Sequence, residues 1–119
     1  LGIGLIPYSP LHAGLLAGVL AVSEGRNSND LMQHRIEAHR DQLEAYEGLC
    51  RELCVKPADV ALAWLLRNPV VSTTIVGAMT SEELRSDLGA LSVQLDHEVM
   101  EQLDRIWPGP GEAPQAYAW

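Results

Sequence analysis

Residues Gly2 to Leu11 read GIGLIPYSPL, and the interpretation of this stretch decides the fold. Ile3, Leu5 and Ile6 form a short apolar run without polar alternation. Such a run suits a parallel strand covered on both faces. Pro7 has no N–H to give a ladder and is tolerable only near a strand end. Ser9-Pro10 then imposes an extended or turn geometry. The stretch is therefore read as a strand whose carboxyl end presents Tyr8, Ser9 and Pro10.

Outward from it, Leu11 to Asp30 is a long connection with little evident structure, rich in Gly and Ala up to Val22 and polar from Ser23. Connections of this length in compact domains are commonly functional lids or disordered segments. From about Leu31 to Leu53 the pattern becomes helical, with Ile36, Leu43, Tyr46, Leu49, Cys50 and Leu53 on one stripe. Pro57 suits the first turn of a further helix, Ala58 to Arg67, which Asn68-Pro69 ends. Thr73 to Val76 are β-branched and predict a second strand. Thr80-Ser81-Glu82-Glu83 fits a capping box, with Thr80 as N-cap, and Leu84, Leu88 and Leu91 share a face beyond it. Asp96 caps a last helix to Ile106 that turns Val99, Leu103 and Ile106 inward, before a tail that begins at Gly109. Two strands separated by some 65 residues of mostly helix cannot form a hairpin, so a parallel pair with a right-handed crossover is expected.

Composition narrows the function. The 119 residues carry a net charge of -8 and no basic run, which removes the electrostatic footprint of nucleic-acid binding and opposes anionic membranes. No stretch approaches a membrane span and none reads as a signal peptide. Cys50 and Cys54 are read as two reduced thiols, because a helical i,i+4 pair is held too far apart for an easy bridge. A cytoplasmic location is expected. His12, His34, His39 and His97 show no ligand spacing, so no metal site is expected. Gly2-x-Gly4 hints at a dinucleotide fingerprint, but Pro7 stands where the third Gly belongs and no helix follows.

Two places carry chemistry. At Tyr8-Ser9-Pro10-Leu11 a tyrosine offers a flat face to a planar ring, and the Gly-rich loop beyond lets backbone approach a phosphate. A core tyrosine above a tight turn is the plainer alternative. At Gly77-Ala78-Met79-Thr80 a capped helix start suits an anion, and an ordinary strand-to-helix turn is the alternative. Both places sit at strand carboxyl ends, on the same side.

The segments GIGLIPYSPLHAGLLAG, VKPADVALAWLLRNPVVSTTIVGAMTSEELRSDLGAL and LDHEVMEQLDRIW, with the closing PQAYAW, resemble in order and spacing the C-terminal third of a bacterial aldo-keto reductase. The resemblance covers residues 1-119 and implies an α/β fold, the C-terminal fragment of a (β/α)8 TIM barrel. That fragment comprises strands seven and eight with their helices, a C-terminal helix and a tail. The implied activity is NAD(P)H-dependent reduction of a small-molecule aldehyde or ketone. The implied catalytic residues all belong to earlier strands, so none is placed on this chain. What it does imply is a cofactor site: Tyr8 under the nicotinamide; Ser9, Pro10 and Leu11 along the pyrophosphate; Gly14 in the loop that folds over it; Gly77, Ala78, Met79 and Thr80 around the adenosine 2′-phosphate; Glu83 and Asp87 near the adenine.

Many relatives carry Arg, Gln and Asn where this chain has Met79, Glu83 and Asp87. Losing a charge-assisted bond costs about 1.5–3 kcal/mol, roughly tenfold to a hundredfold in affinity. NADPH is the expected cofactor, with a weak preference that tolerates NADH; Arg85 is read as facing outward. Three further expectations concern the chain by itself: no reductase activity, open strand edges that favour aggregation, and Tyr117 to Trp119 placed near the barrel rim. A non-catalytic, reductase-like nucleotide-binding or regulatory subunit is the alternative function, and a free-standing small α/β module a third. The oligomeric state stays open.

Overall fold

Two parallel extended segments lie against a layer of helices in the computed structural model, which describes residues 2–23 and 29–109. The helices are α1 (Val19–Ser23), α2 (Asp30–Ala38), α3 (Arg40–Glu52), α4 (Pro57–Leu66), α5 (Ser81–Gly89) and α6 (His97–Ile106), with a 3-10 turn at Ala90–Ser92. Pro110 to Trp119, including the expected rim residues Tyr117 to Trp119, lie outside the described residues.

The local signals for α4, α5 and α6 act as expected. Pro57 opens α4, where its missing N–H costs nothing. The Thr80 hydroxyl accepts from the Glu83 amide at 3.1 Å, and Asp96 Oδ1 from the Val99 amide at 2.9 Å. The amphipathic stripes then meet: Tyr46, Leu49 and Cys50 of α3, Val60, Ala61 and Ala63 of α4, and Val99 and Leu103 of α6 form one core with Leu95. The Tyr46 hydroxyl donates to the Pro57 carbonyl, tying α3 to the start of α4. Burial pushes the Cys50 thiol up to about 11, so it stays protonated in that core.

Four expectations change. The continuous helix from Leu31 to Leu53 is two helices, because His39 leaves helical geometry at φ -123° and ψ 19°. There its Nδ1 meets Gln42 Oε1 at 3.1 Å and its ring packs on Trp107. The first part of the connection is ordered, with turns from Pro10 to Gly18 leading into α1, while residues 24–28 lie outside the described residues. It buries Leu15 completely against Ile36 and Leu43. Cys54 lies past the end of α3, not on the Cys50 face, and holds a left-handed φ of 54°. Both cysteines are free thiols, Cys50 buried and Cys54 exposed. Leu84 and Leu88 of α5 and Leu91 of the 3-10 turn are all exposed.

The fourth change concerns the strands. The expected pair is present and parallel, yet among the described residues it makes no continuous ladder. It makes two bridges, Leu5 to Val71 and Tyr8 to Ile75. Leu5 donates to the Val70 carbonyl at 2.7 Å and accepts from the Ser72 amide at 2.9 Å. Pro7 cannot donate, and accepts from the Ile75 amide at 3.0 Å. Three steps on the first segment, from 5 to 8, match four on the second, from 71 to 75. That one-residue slip, beside a residue with no N–H, breaks the ladder. At Gly4 a Cβ would come within 1.9 Å of Ser72 Oγ, so a side chain there would oblige Ser72 to turn its hydroxyl away.

Candidate functional site

The parallel sense of the pair puts the turns after Tyr8 and after Val76 at the same end of the molecule. Between them lies a groove of about 460 Å3. One wall is Ser9, Pro10, Leu11, Ala13, Gly14 and Ala17; the other is Val76, Gly77, Ala78, Glu83, Ser86 and Asp87, with Ala58 contributed by α4. Eight of the eleven expected site residues thus meet, from segments more than 60 residues apart in sequence: Ser9, Pro10, Leu11, Gly14, Gly77, Ala78, Glu83 and Asp87.

Tyr8, Met79 and Thr80 are not on the groove walls. Tyr8 is 79% exposed and lines an adjoining apolar cavity of about 360 Å3 with Pro7, Trp64 and Trp107. Ser9 and Pro10 line both cavities. Met79 projects into solvent, and Thr80 is spent on capping α5.

The first wall is shaped by unusual backbone. Ser9, His12 and Ala13 adopt φ of 51° to 53°, and Gly14 reaches 91°. Such values are costly for residues with a Cβ and hold only where surrounding structure fixes them. Turn bonds from the His12 amide to Ser9 and from Gly14 to Leu11 stitch the wall internally. His12 is held below its ordinary value by burial first, then by the charges of Arg35 and His39.

The second wall is acidic. Glu83 Oε2 accepts from the Met79 amide at 2.7 Å, so a side-chain carboxylate already occupies the start of α5. The amides of Gly77 and Ala78 stay unpaired among the described residues and line the groove. No residue on either wall is basic. At the edge of this wall the Lys56 Nζ bonds Ser86 Oγ at 3.2 Å. Behind the wall, Asp59 Oδ1 is buried with no hydrogen-bond partner among the described residues. Burial, and secondarily the Asp87 carboxylate, push Asp59 above the usual carboxylate range against the pull of Lys56.

Sequence reasoning passed over Ala13, Ala17, Ala58, Val76 and Ser86 as wall residues. Helical spacing could have found Ser86, which lies three residues after Glu83 on the same face. The alanines gave no signal beyond small size. Among the described residues no cluster of three His, Cys, Asp or Glu is placed to hold a metal ion.

A site where two adjacent parallel segments open onto one groove is the arrangement expected of a barrel's carboxyl face. Comparison with known proteins agrees: the model of the aldo/keto reductase family matches residues 1–108. The chain belongs to the aldo/keto reductase family. It is 46% identical over its whole length to Uncharacterized oxidoreductase YrpG of Bacillus subtilis (strain 168), covering 37% of that protein. It is 30% identical to Probable aldo-keto reductase 1 of Glycine max, with 91% of this chain and 33% of that protein aligned. Protein tas of Escherichia coli (strain K12) is 27% identical over 88% of the chain and 32% of its own length. The chain thus spans about a third of the length of the curated relatives it matches. The family's fold is a (β/α)8 barrel. No helix among the described residues is long and apolar enough to cross a membrane.

Proposed function

We propose that this chain supplies the dinucleotide-binding part of an NAD(P)H-dependent aldo-keto reductase acting on a small-molecule aldehyde or ketone in the cytoplasm. The single observation that carries the reading is the groove, where Ser9, Pro10, Leu11 and Gly14 face Gly77, Ala78, Glu83 and Asp87. In this reading the two segments correspond to strands seven and eight of the barrel. The exposed apolar side chains of Ile3, Leu5, Ile6 and Ile75 are then those that a complete barrel covers.

The groove residues suit an adenine dinucleotide. Unpaired Gly77 and Ala78 amides are available to oxygen acceptors, and a Cβ on Gly77 would meet nothing within 4 Å, which leaves room for close approach. The Ser9–Gly14 wall would follow the pyrophosphate, and the Tyr8 ring, open to solvent beside the groove, would carry the nicotinamide. When bound, the reduced nicotinamide supplies the hydride that a carbonyl carbon accepts. This chain's own residues bind and orient; no proton donor is assigned among them. Met79 and Thr80 remain assigned to the adenosine 2′ end, as neighbours of the Glu83 cap.

That end gives a 2′-phosphate little help, which weakens the preference for it. Glu83 already takes the Met79 amide, Asp87 adds a second carboxylate, and Met79 brings no cation. Cofactor choice is therefore NADPH with ready tolerance of NADH. Dissociation constants for both, read by quenching of tryptophan fluorescence, test the proposal. Both cofactors are expected to bind within about tenfold of each other. A preference for NADPH of a hundredfold or more overturns the reading of Met79, Glu83 and Asp87, and failure of both to bind overturns the function.

A further inference from the structure

The wall formed by Ser9 to Ala17 is held from outside as well as by its own turn bonds. Side chains from α2 and α3, neither of which lines the groove, fasten the wall at His12 and its continuation into α1 at Leu20. Arg35 of α2 donates from Nη2 to the His12 carbonyl at 2.7 Å. Glu47 of α3 accepts the Leu20 amide on Oε1 at 2.9 Å. Glu47 is only 3% exposed, the one charged side chain buried in the core among the described residues. A buried carboxyl group is costly without a hydrogen-bond partner, and the Leu20 amide supplies one. Leu15, seated between the two fastenings, anchors the same stretch in the core against Ile36 and Leu43.

From these contacts we infer that Arg35 and Glu47 are positioning residues for the nucleotide groove, holding the residue 9–20 connection in its ligand-ready shape before any ligand arrives. The inference rests on the dinucleotide reading above. The physics is preorganisation. The wall's left-handed residues at Ser9, His12 and Ala13 would relax to commoner backbone if released. A wall that spends a tenth of its time in the competent shape binds about tenfold more weakly. Arg35 fixes the carbonyl side of that strained run, and Glu47 fixes its exit into α1.

The test uses the full chain with NADH as probe and amide hydrogen exchange at Leu15 to Ala17 as a ligand-free readout. Arg35→Ala and Glu47→Ala should each raise the dissociation constant about tenfold and speed exchange at those amides, with the melting temperature of Arg35→Ala unchanged. Arg35→Lys, which keeps a donor, and Glu47→Gln, which keeps an acceptor, should recover most of the affinity; a role in general packing would give no such rescue. If Glu47→Ala fails to fold, the two Arg35 variants carry the test. A parent chain that binds NADH, together with Arg35 variants of unchanged affinity and exchange, overturns the tether alone. A parent chain that binds neither NADH nor NADPH overturns the groove reading and the tether with it.

Discussion

The helical layer and the extended pair use similar apolar residues to opposite effect. In the layer, Leu43 is sealed from water by Leu15 and Ile36, and Val60 and Leu95 by neighbours on α3, α4 and α6. In the pair, Ile3, Leu5, Ile6 and Ile75 are all more than half exposed, and each segment pairs only with the other among the described residues. A helix satisfies its own backbone and needs a partner for one stripe only. An extended segment needs partners on two edges and two faces. Stability in this chain therefore resides in the helices, and the groove is hung between them and a weakly held pair.

The sharpest way to break that contrast is to truncate one residue on each side of it. Leu43→Ala should cost about 3 kcal/mol, the usual toll for a buried leucine, in urea denaturation. Ile6→Ala, at a position 58% exposed, should cost less than about 1 kcal/mol. Equal losses would mean that the extended pair is as tightly packed as the core.

A smaller effect sharpens the description of the helices. Cys54 ends α3 in a left-handed conformation, with the Val55 amide returning to the Cys50 carbonyl at 3.1 Å. Glycine adopts that conformation without the side-chain penalty, so Cys54→Gly should gain about 1 kcal/mol, visible as a raised midpoint of thermal unfolding.

The smallest expected effect concerns Asp59, where the layer meets the groove. Its pKa is raised in the folded state, so the fold binds more protons there than the unfolded chain does. The ionised carboxylate is thus a liability at neutral pH, relieved as the pH falls below the ordinary carboxylate range. Asp59→Asn should be more stable than the parent at pH 7, with the advantage lost near pH 3; denaturation midpoints at both values check it. An advantage that grows as pH falls would contradict the sign.

What was legible in the sequence follows the same division. Pro57, Thr80 with Glu83, and Asp96 act within one turn of where they stand, so they marked α4, α5 and α6 correctly. The break at His39 was hidden because the apolar stripe continues through it, and the His39 ring packs on Trp107, a residue far off in sequence just past α6. The order inside the first connection was hidden for a related reason: Leu15 is held by Ile36 and Leu43, and Leu20 by Glu47. The extended pair was legible in place and direction. Its register was not, since the slip between Leu5 and Tyr8 depends on where two distant segments meet. For the site, local chemistry pointed to the turns at Tyr8 to Leu11 and Gly77 to Thr80, and the family resemblance supplied Gly14, Glu83 and Asp87. Ala13, Ala17 and Ala58 matter only because they are small where the walls approach, which no local pattern records.

The most direct measurement is a map of backbone amide chemical shifts in the chain titrated with NADH. Concerted shifts at Ser9, Leu11 and Gly14 on one wall and at Gly77, Ala78, Glu83 and Asp87 on the other are the predicted result. Shifts confined to one wall, or to the neighbouring cavity around Trp64 and Trp107, would contradict the claim that the two turns form one nucleotide groove.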